Sequence, residues 1–231
     1  MRRILLISAN RYKEPYPVYP LGLSYLKGYI LRELPHLEVE IVDCNIHSDE
    51  EIGRRIEVFR PDIIGLSLRN IDGANSLDVR DFLEQYQELV SLVRRTSSAY
   101  LVIGGAGFSI FPEVISERLM PDFAIVGEGE RAFIDLINHL EKREESVSVK
   151  MDKGMEPCKI ISQGSQGYLS TLDVAFEEDL VGWYWQSSGM LNLQTKRGCP
   201  YNCIYCTYPL IEGRQVRSEE RRVGKECRSR W

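Results

Sequence analysis

Short, nearly continuous apolar runs alternate, through about the first 140 residues, with longer segments whose apolar positions recur every three or four residues. The short runs are Arg3–Ser8, Leu37–Asp43, Ile63–Leu68, Tyr100–Gly104 and Phe123–Val126, all rich in Ile, Val and Leu. A strand covered by helices on both faces has this signature, because neither face meets water. The longer segments Leu21–Leu34, Asp49–Phe59, Val79–Arg95, Phe111–Leu119 and Glu130–Lys142 read as helices. Phe59-Arg60-Pro61-Asp62 and Met120-Pro121-Asp122 stop two of them and feed the next strand, since proline cannot continue a helix. The alternation predicts βαβ units and an α/β fold with a Rossmann-like, doubly wound parallel sheet over residues 1–142.

Ligands of such sheets bind beyond the carboxyl ends of the strands. Small and polar residues gather there: Ser67, Arg69 and Asn70 after the third run, Gly104-Gly105-Ala106-Gly107 after the fourth, and Gly127-Glu128-Gly129-Glu130 after the fifth. Small residues let backbone approach a large flat ligand. No G-x-G-x-x-G follows the first run, so a dinucleotide site lacks its usual fingerprint. From residue 143 to 189 the pattern weakens into a linker with short strands, interrupted by Trp183-Tyr184-Trp185, which reads as a plug that is either local or between domains. Met190–Thr195 alternates like a strand.

The chain has 231 residues, with 43% hydrophobic and 27% charged, which is ample core material for a globular protein. No apolar run is long enough to cross a bilayer and no signal peptide is visible, so a cytoplasmic location without a membrane partner is expected. A net charge of −5 supplies no basic footprint for nucleic acid and favours a small-molecule or peptide substrate. The stretch from Arg217 to Trp231 has no amphipathic period, cap or strand pattern, and it resembles the translation of a sequencing adapter. It is set apart as non-native, together with Cys227, so the native part is expected to stop near Val216.

Arg197-Gly198-Cys199-Pro200-Tyr201-Asn202-Cys203-Ile204-Tyr205-Cys206 offers three thiolates. A four-iron cluster normally takes four, so three leave one iron open to a substrate. The alternatives are a zinc site, which wants a fourth Cys or His nearby, and a disulfide, which needs an oxidising compartment. The spacing C-x3-C-x2-C, with Tyr205 directly before the last cysteine, resembles the cluster loop of the radical S-adenosylmethionine (radical SAM) enzymes. The resemblance implies that Cys199, Cys203 and Cys206 hold a [4Fe-4S] cluster, with Tyr205 beside the cofactors. It also implies that SAM binds the open iron and is cleaved reductively to a 5'-deoxyadenosyl radical, with electrons from a donor such as flavodoxin or ferredoxin. Residues 190–216 would be the start of the radical SAM barrel, cut short.

With that motif downstream, the first 142 residues are similar to the cobalamin-binding domain of cobalamin-dependent radical SAM enzymes. The resemblance implies that Ser67, Arg69, Asn70, Gly104, Gly105, Gly127, Glu128 and Gly129 contact cobalamin. Typical cobalamin domains carry D-x-H-x-x-G after the second strand, where His coordinates cobalt; here Asp43-Cys44-Asn45-Ile46-His47-Ser48 puts Asn45 at the His position and Ser48 at the Gly position. His47 reads as a loop or capping neighbour. The usual S-x-L after the third strand ends instead in Arg69, which either lies under the corrin or pairs with Asp72 or Asp78. Many relatives are methylases of unactivated carbon or phosphorus, and others catalyse ring contraction or cyclisation. The expected function of the parent protein is methyl transfer. The chain itself is expected to be inactive and poorly stable beyond about residue 190, with a partial barrel's sheet edges exposed. A zinc-holding binding module and a nucleotide-binding domain are the competing readings.

Overall fold

The computed structural model describes residues 1–71, 82–146, 159–162 and 173–218. Asp72, Gly73, Asp78, the start of the expected third helix at Val79, Cys158 and the tail from Glu219 lie outside the described residues.

Five strands appear where the apolar runs predict them, β1 (Arg3–Ser8), β2 (Glu38–Asp43), β3 (Ile63–Ser67), β4 (Tyr100–Gly104) and β5 (Phe123–Val126). A sixth, β6 (Lys159–Ser162), pairs in parallel with β5, and the sheet order is β2-β1-β3-β4-β5-β6. Helices α1 (Leu21–Glu33), α2 (Asp49–Phe59), α3 (Leu83–Thr96), α4 (Pro112–Leu119) and α5 (Glu130–Ser146) connect the strands. Alternate strand residues feed two cores. Leu5, Ile7, Ile64, Leu66, Leu101 and Ile103 pack with α2, α3 and α4, while Ile4, Leu6, Ile63, Val102 and Ile125 pack with α1 and α5. That two-sided burial is why the strands carry so little polar alternation. The fold is therefore the doubly wound, Rossmann-like α/β sheet.

The Pro-Asp stops have a second use. Arg60 and Met120 close their helices in the left-handed region, at φ 48° and 45°, each directly before a proline that excludes a further helical turn. The aspartates that follow cap neighbouring strands: Asp62 Oδ2 accepts the Arg3 N–H at 3.0 Å, and Asp122 Oδ2 accepts the Leu101 N–H at 2.7 Å. At the start of α2, Ser48 and Glu51 form a reciprocal capping box. Ser48 thus has a helix-capping role at the position where the cobalamin motif carries glycine.

The stretch read as a linker with short strands supplies one, β6, and departs from expectation in forming a helix, α6 (Glu178–Ser188), so Trp183-Tyr184-Trp185 is helical. Tyr184 is wholly buried against the α1/α5 core, Trp183 packs at its edge, and Trp185 faces solvent. Met190–Thr195 is not a strand; pairing begins only at β7 (Lys196–Arg197), antiparallel to β8 (Arg217–Ser218). Alternation alone cannot make a strand without a neighbour to take its backbone hydrogen bonds, and Leu191 and Leu193 remain exposed. A short helix, α7 (Tyr208–Glu212), lies between β7 and β8.

Candidate functional site

Parallel pairing brings small residues from distant parts of the chain into one row. Ser8 of β1 lies opposite Ser67 of β3, and Ser67 opposite Gly104 of β4. All three sit at carboxyl ends, on the face shared with α1 and α5. One level deeper, Gly65 lies between Leu6 and Val102. A Cβ on Gly65 would come within 2.9 Å of Leu6 and 3.5 Å of Phe133. The missing side chains leave a cavity of about 600 Å³ that enters the molecule between the strand ends and α1.

Ser67, Arg69, Gly104, Gly105, Gly127, Glu128 and Gly129, seven of the expected cobalamin contacts, line this cavity. Asn70 does not line it; its carbonyl is engaged by the Tyr86 hydroxyl, which turns that peptide toward the opposite core. Gly105, at φ 102°, is small for a further reason: a Cβ there would lie 2.6 Å from the Leu68 carbonyl oxygen, so its close approach is to protein backbone. Ser109, missed in the sequence, ties the two glycine turns together. Its hydroxyl donates to the Gly105 carbonyl and accepts the Gly127 N–H, both at 2.9 Å. A lone serine beyond a glycine cluster carries no signal for that bridge.

At the end of β2 the altered cobalamin motif is turned inward. The Asp43 carboxylate accepts the Asn45 N–H at 2.8 Å and the Tyr184 hydroxyl at 2.7 Å, and the Asn45 side-chain amide donates to Tyr184 at 3.1 Å. Asp43, Asn45 and Tyr184 are all buried. Burial pushes the Asp43 carboxyl above its ordinary range, against the hydrogen bonds it accepts, and burial together with Asp43 pushes the Tyr184 phenol up as well. His47 Nδ1 lies 3.0 Å from the Asp43 carbonyl, which ties the ring to its own loop as a capping neighbour. Arg69 is exposed at the cavity mouth. The Asp72 and Asp78 alternatives for its partner lie outside the described residues.

The segment carrying the cysteines closes one side of the cavity, through Asn192–Arg197, Tyr208, Ile211 and Glu212. Gly198 turns the chain at φ 79°, where a Cβ would lie 2.1 Å from the Gln215 carbonyl oxygen. The Gly198 N–H donates to Glu212 at 3.2 Å and the Cys199 N–H to the Gly213 carbonyl at 3.1 Å. Arg197 is buried, 2.7 Å from Glu130 and 3.6 Å from Glu128. Burial alone would lower its pKa; the two carboxylates more than offset this and raise it. Arg217, the first residue of the stretch read as foreign, also engages Glu128.

Beyond Cys199 the loop is exposed. Cys203, Tyr205 and Cys206 face solvent, and Tyr205 does not reach the cavity. Among the described residues no group of three or more His, Cys, Asp or Glu side chains is assembled to hold a metal ion, so the structure does not bring the three sulfurs together. Metal sites and the loops that carry them commonly order together, and three thiols in one exposed loop retain the right donor chemistry for an iron–sulfur cluster. The cavity has the placement and the clear floor that a corrin entering from the carboxyl ends would need: it opens there, and Gly65 leaves its floor free of a side chain.

Comparison with known proteins agrees with the geometry. The B12 binding domain family matches residues 8–137, and the chain belongs to that family. It is 29% identical over 140 residues to tryptophan 2-C-methyltransferase of Streptomyces laurentii, covering 59% of this chain and 23% of the relative. To an uncharacterized methyltransferase of Pyrococcus horikoshii it is 26% identical over 208 residues, covering 86% of this chain and 42% of the relative. Its fold is shared with the radical SAM methyltransferase TsrM of Kitasatospora setae, solved with cobalamin and a [4Fe-4S] cluster bound, at a TM-score of 0.73 and 22% identity over 94% of this chain and 43% of that one. The chain thus spans less than half the length of these relatives.

Proposed function

We propose that this chain is the amino-terminal part of a cobalamin-dependent radical SAM methyltransferase. The observation that carries the reading is a cavity at the carboxyl ends of a B12-binding sheet whose side wall is the segment leading into Cys199. Cobalamin would occupy the cavity against Ser67, Gly104, Gly127 and Gly129, while Cys199, Cys203 and Cys206 would hold a [4Fe-4S] cluster at its rim. When bound, these groups supply a transferable methyl group and an electron for cleaving SAM. The protein's own part is positional. Gly65 keeps the floor open, the Ser109 hydroxyl holds the two glycine turns in register, and the Asp43–Tyr184–Asn45 cluster withholds Asn45 from the ligand. With Asn45 held in this way, the usual histidine position would offer no imidazole to the cofactor. The whole protein's reaction is methyl transfer to a small-molecule or peptide carbon, in the cytoplasm, with a flavodoxin- or ferredoxin-like donor. Residues from Arg217 onward are a non-native tail in this reading, and the chain as it stands does not turn over.

Equilibrium titration of the chain with hydroxocobalamin, beside NAD and FAD, tests the reading. Hydroxocobalamin alone should bind, and Gly65→Val should weaken it about tenfold or more by filling the floor. Preference for NAD or FAD would replace cobalamin with a nucleotide. Anaerobic treatment with iron and sulfide should give a brown protein bleached by dithionite, with the colour lost in a Cys203→Ala variant; zinc without iron would overturn the cluster assignment.

A further inference from the structure

Arg197 directly precedes the Gly198 turn, yet its side chain is only 7% exposed. Its guanidinium is held from several directions. Nη2 lies 2.7 Å from Glu130, Nη1 lies 3.6 Å from Glu128, Nε donates to Gln194 at 3.2 Å, and Cζ lies 5.2 Å over the Tyr25 ring. Glu128 follows β5, Glu130 opens α5, and Tyr25 belongs to α1. These elements form the wall and entrance of the cavity, and Glu128, Glu130 and Arg197 all line it.

An exposed arginine at this place would contribute little to loop position. A desolvated one is different, because removing one charge of a buried pair leaves the other short of compensation. The planar fork also matters, since it reaches two carboxylates and an amide oxygen at once, which a lysine ammonium cannot do. Past this anchor the cysteine loop runs out into solvent, from Pro200 to Thr207.

We propose that Arg197 is a positioning residue: paired with Glu130, it seats the cysteine loop on the rim of the cofactor cavity, so that filling the cavity sets the order of the loop. The proposal rests on the reading that the cavity takes cobalamin and the loop an iron–sulfur cluster. It concerns how the two sites are coupled. A ligand in the cavity meets the same carboxylates that hold the guanidinium, and coupling of this kind is reciprocal. Arg217 shares Glu128, so Glu130 is the cleaner partner to test.

Amide deuterium exchange across residues 198–207 of the full chain measures the anchor, in the wild type, Arg197→Gln, Glu130→Gln, the double variant and Arg197→Lys. Exchange in the loop should rise about tenfold in either single Gln variant, no further in the double variant, and to an intermediate degree with Lys, while α2 and α3 stay unchanged. Wild-type exchange in the single variants, or additive effects in the double, would overturn the anchor. If Arg197→Gln fails to fold, the Lys and Glu130→Gln variants carry the same comparison. Saturating hydroxocobalamin should slow loop exchange in the wild type and leave it unslowed in Arg197→Gln; equal slowing in both would overturn the coupling. Should the wild type not bind hydroxocobalamin, the functional reading and the coupling fall together, and the unliganded series alone judges the anchor.

Discussion

Asp43 shows how one residue keeps its place in a motif while its surroundings change what it does. It opens the D-x-H pattern, but with asparagine two positions on, its carboxylate accepts hydrogen bonds from Asn45 and Tyr184 instead of orienting a metal-binding imidazole. Burial raises its folded pKa above the ordinary 3.8. A carboxyl raised in this way contributes stability that is fully present below its unfolded pKa and is lost as pH rises through the folded value. Asp43→Asn, which cannot ionise, should therefore gain on the wild type in urea-unfolding free energy as pH rises from below 3.8, with the gap levelling once Asp43 is fully ionised. A gap that narrows with pH would mean that the hydrogen bonds outweigh burial. Cys44 next to it needs no functional account, since its thiol is buried and pushed up to about 12.

Among the elements, α6 is the longest helix that the sequence pattern concealed in the described residues. Its burial rests on Leu180 and Tyr184, too few positions to set up a helical period in a stretch that also carries Trp183 and Trp185. What fixes it is the polar contact of Tyr184 with the end of β2, more than a hundred residues earlier. Tyr184→Phe keeps the ring and removes the hydroxyl, leaving the Asn45 amide and Asp43 each short of a buried partner. The variant should lose about 1–3 kcal/mol in chemical denaturation. A loss below a few tenths would show that water replaces the hydroxyl. Strands β1 to β5 and helices α1 to α5 were legible because their signals are local: runs buried on both faces, and the Pro61-Asp62 and Pro121-Asp122 stops. Met190–Thr195 was misread because its alternation was equally local, and a strand also needs a neighbour.

At the level of the whole molecule, a well-packed sheet carries an open cavity and a cysteine segment with Leu193, Ile204, Tyr205 and Leu210 exposed. Among the described residues no helix is long and apolar enough to cross a membrane. An open cavity in a B12-binding fold couples stability to occupancy by mass action. Free hydroxocobalamin at a hundredfold its Kd should add about 2.7 kcal/mol to unfolding and raise the melting temperature, with NAD at the same concentration adding nothing. A melting curve indifferent to hydroxocobalamin would mean that the cavity is not its site.

The amino-acid sequence by itself determined the class of fold, five of the sheet's strands, the three-cysteine motif and the departure of Asn45 from the cobalamin pattern, because each is written in contiguous residues. It pointed to seven of the cavity residues through their place after strands, though not to Gly65 in the floor or to Ser109, which ties the glycine turns together. Only the tertiary structure made a cavity of them. Ser8, Ser67 and Gly104 become neighbours through strand register, and the absence of side chains matters only once the strands are side by side. Arg197 follows the same rule. In the chain it is one basic residue before a cysteine; its burial and its role follow from carboxylates that folding brings to it from the start of α5.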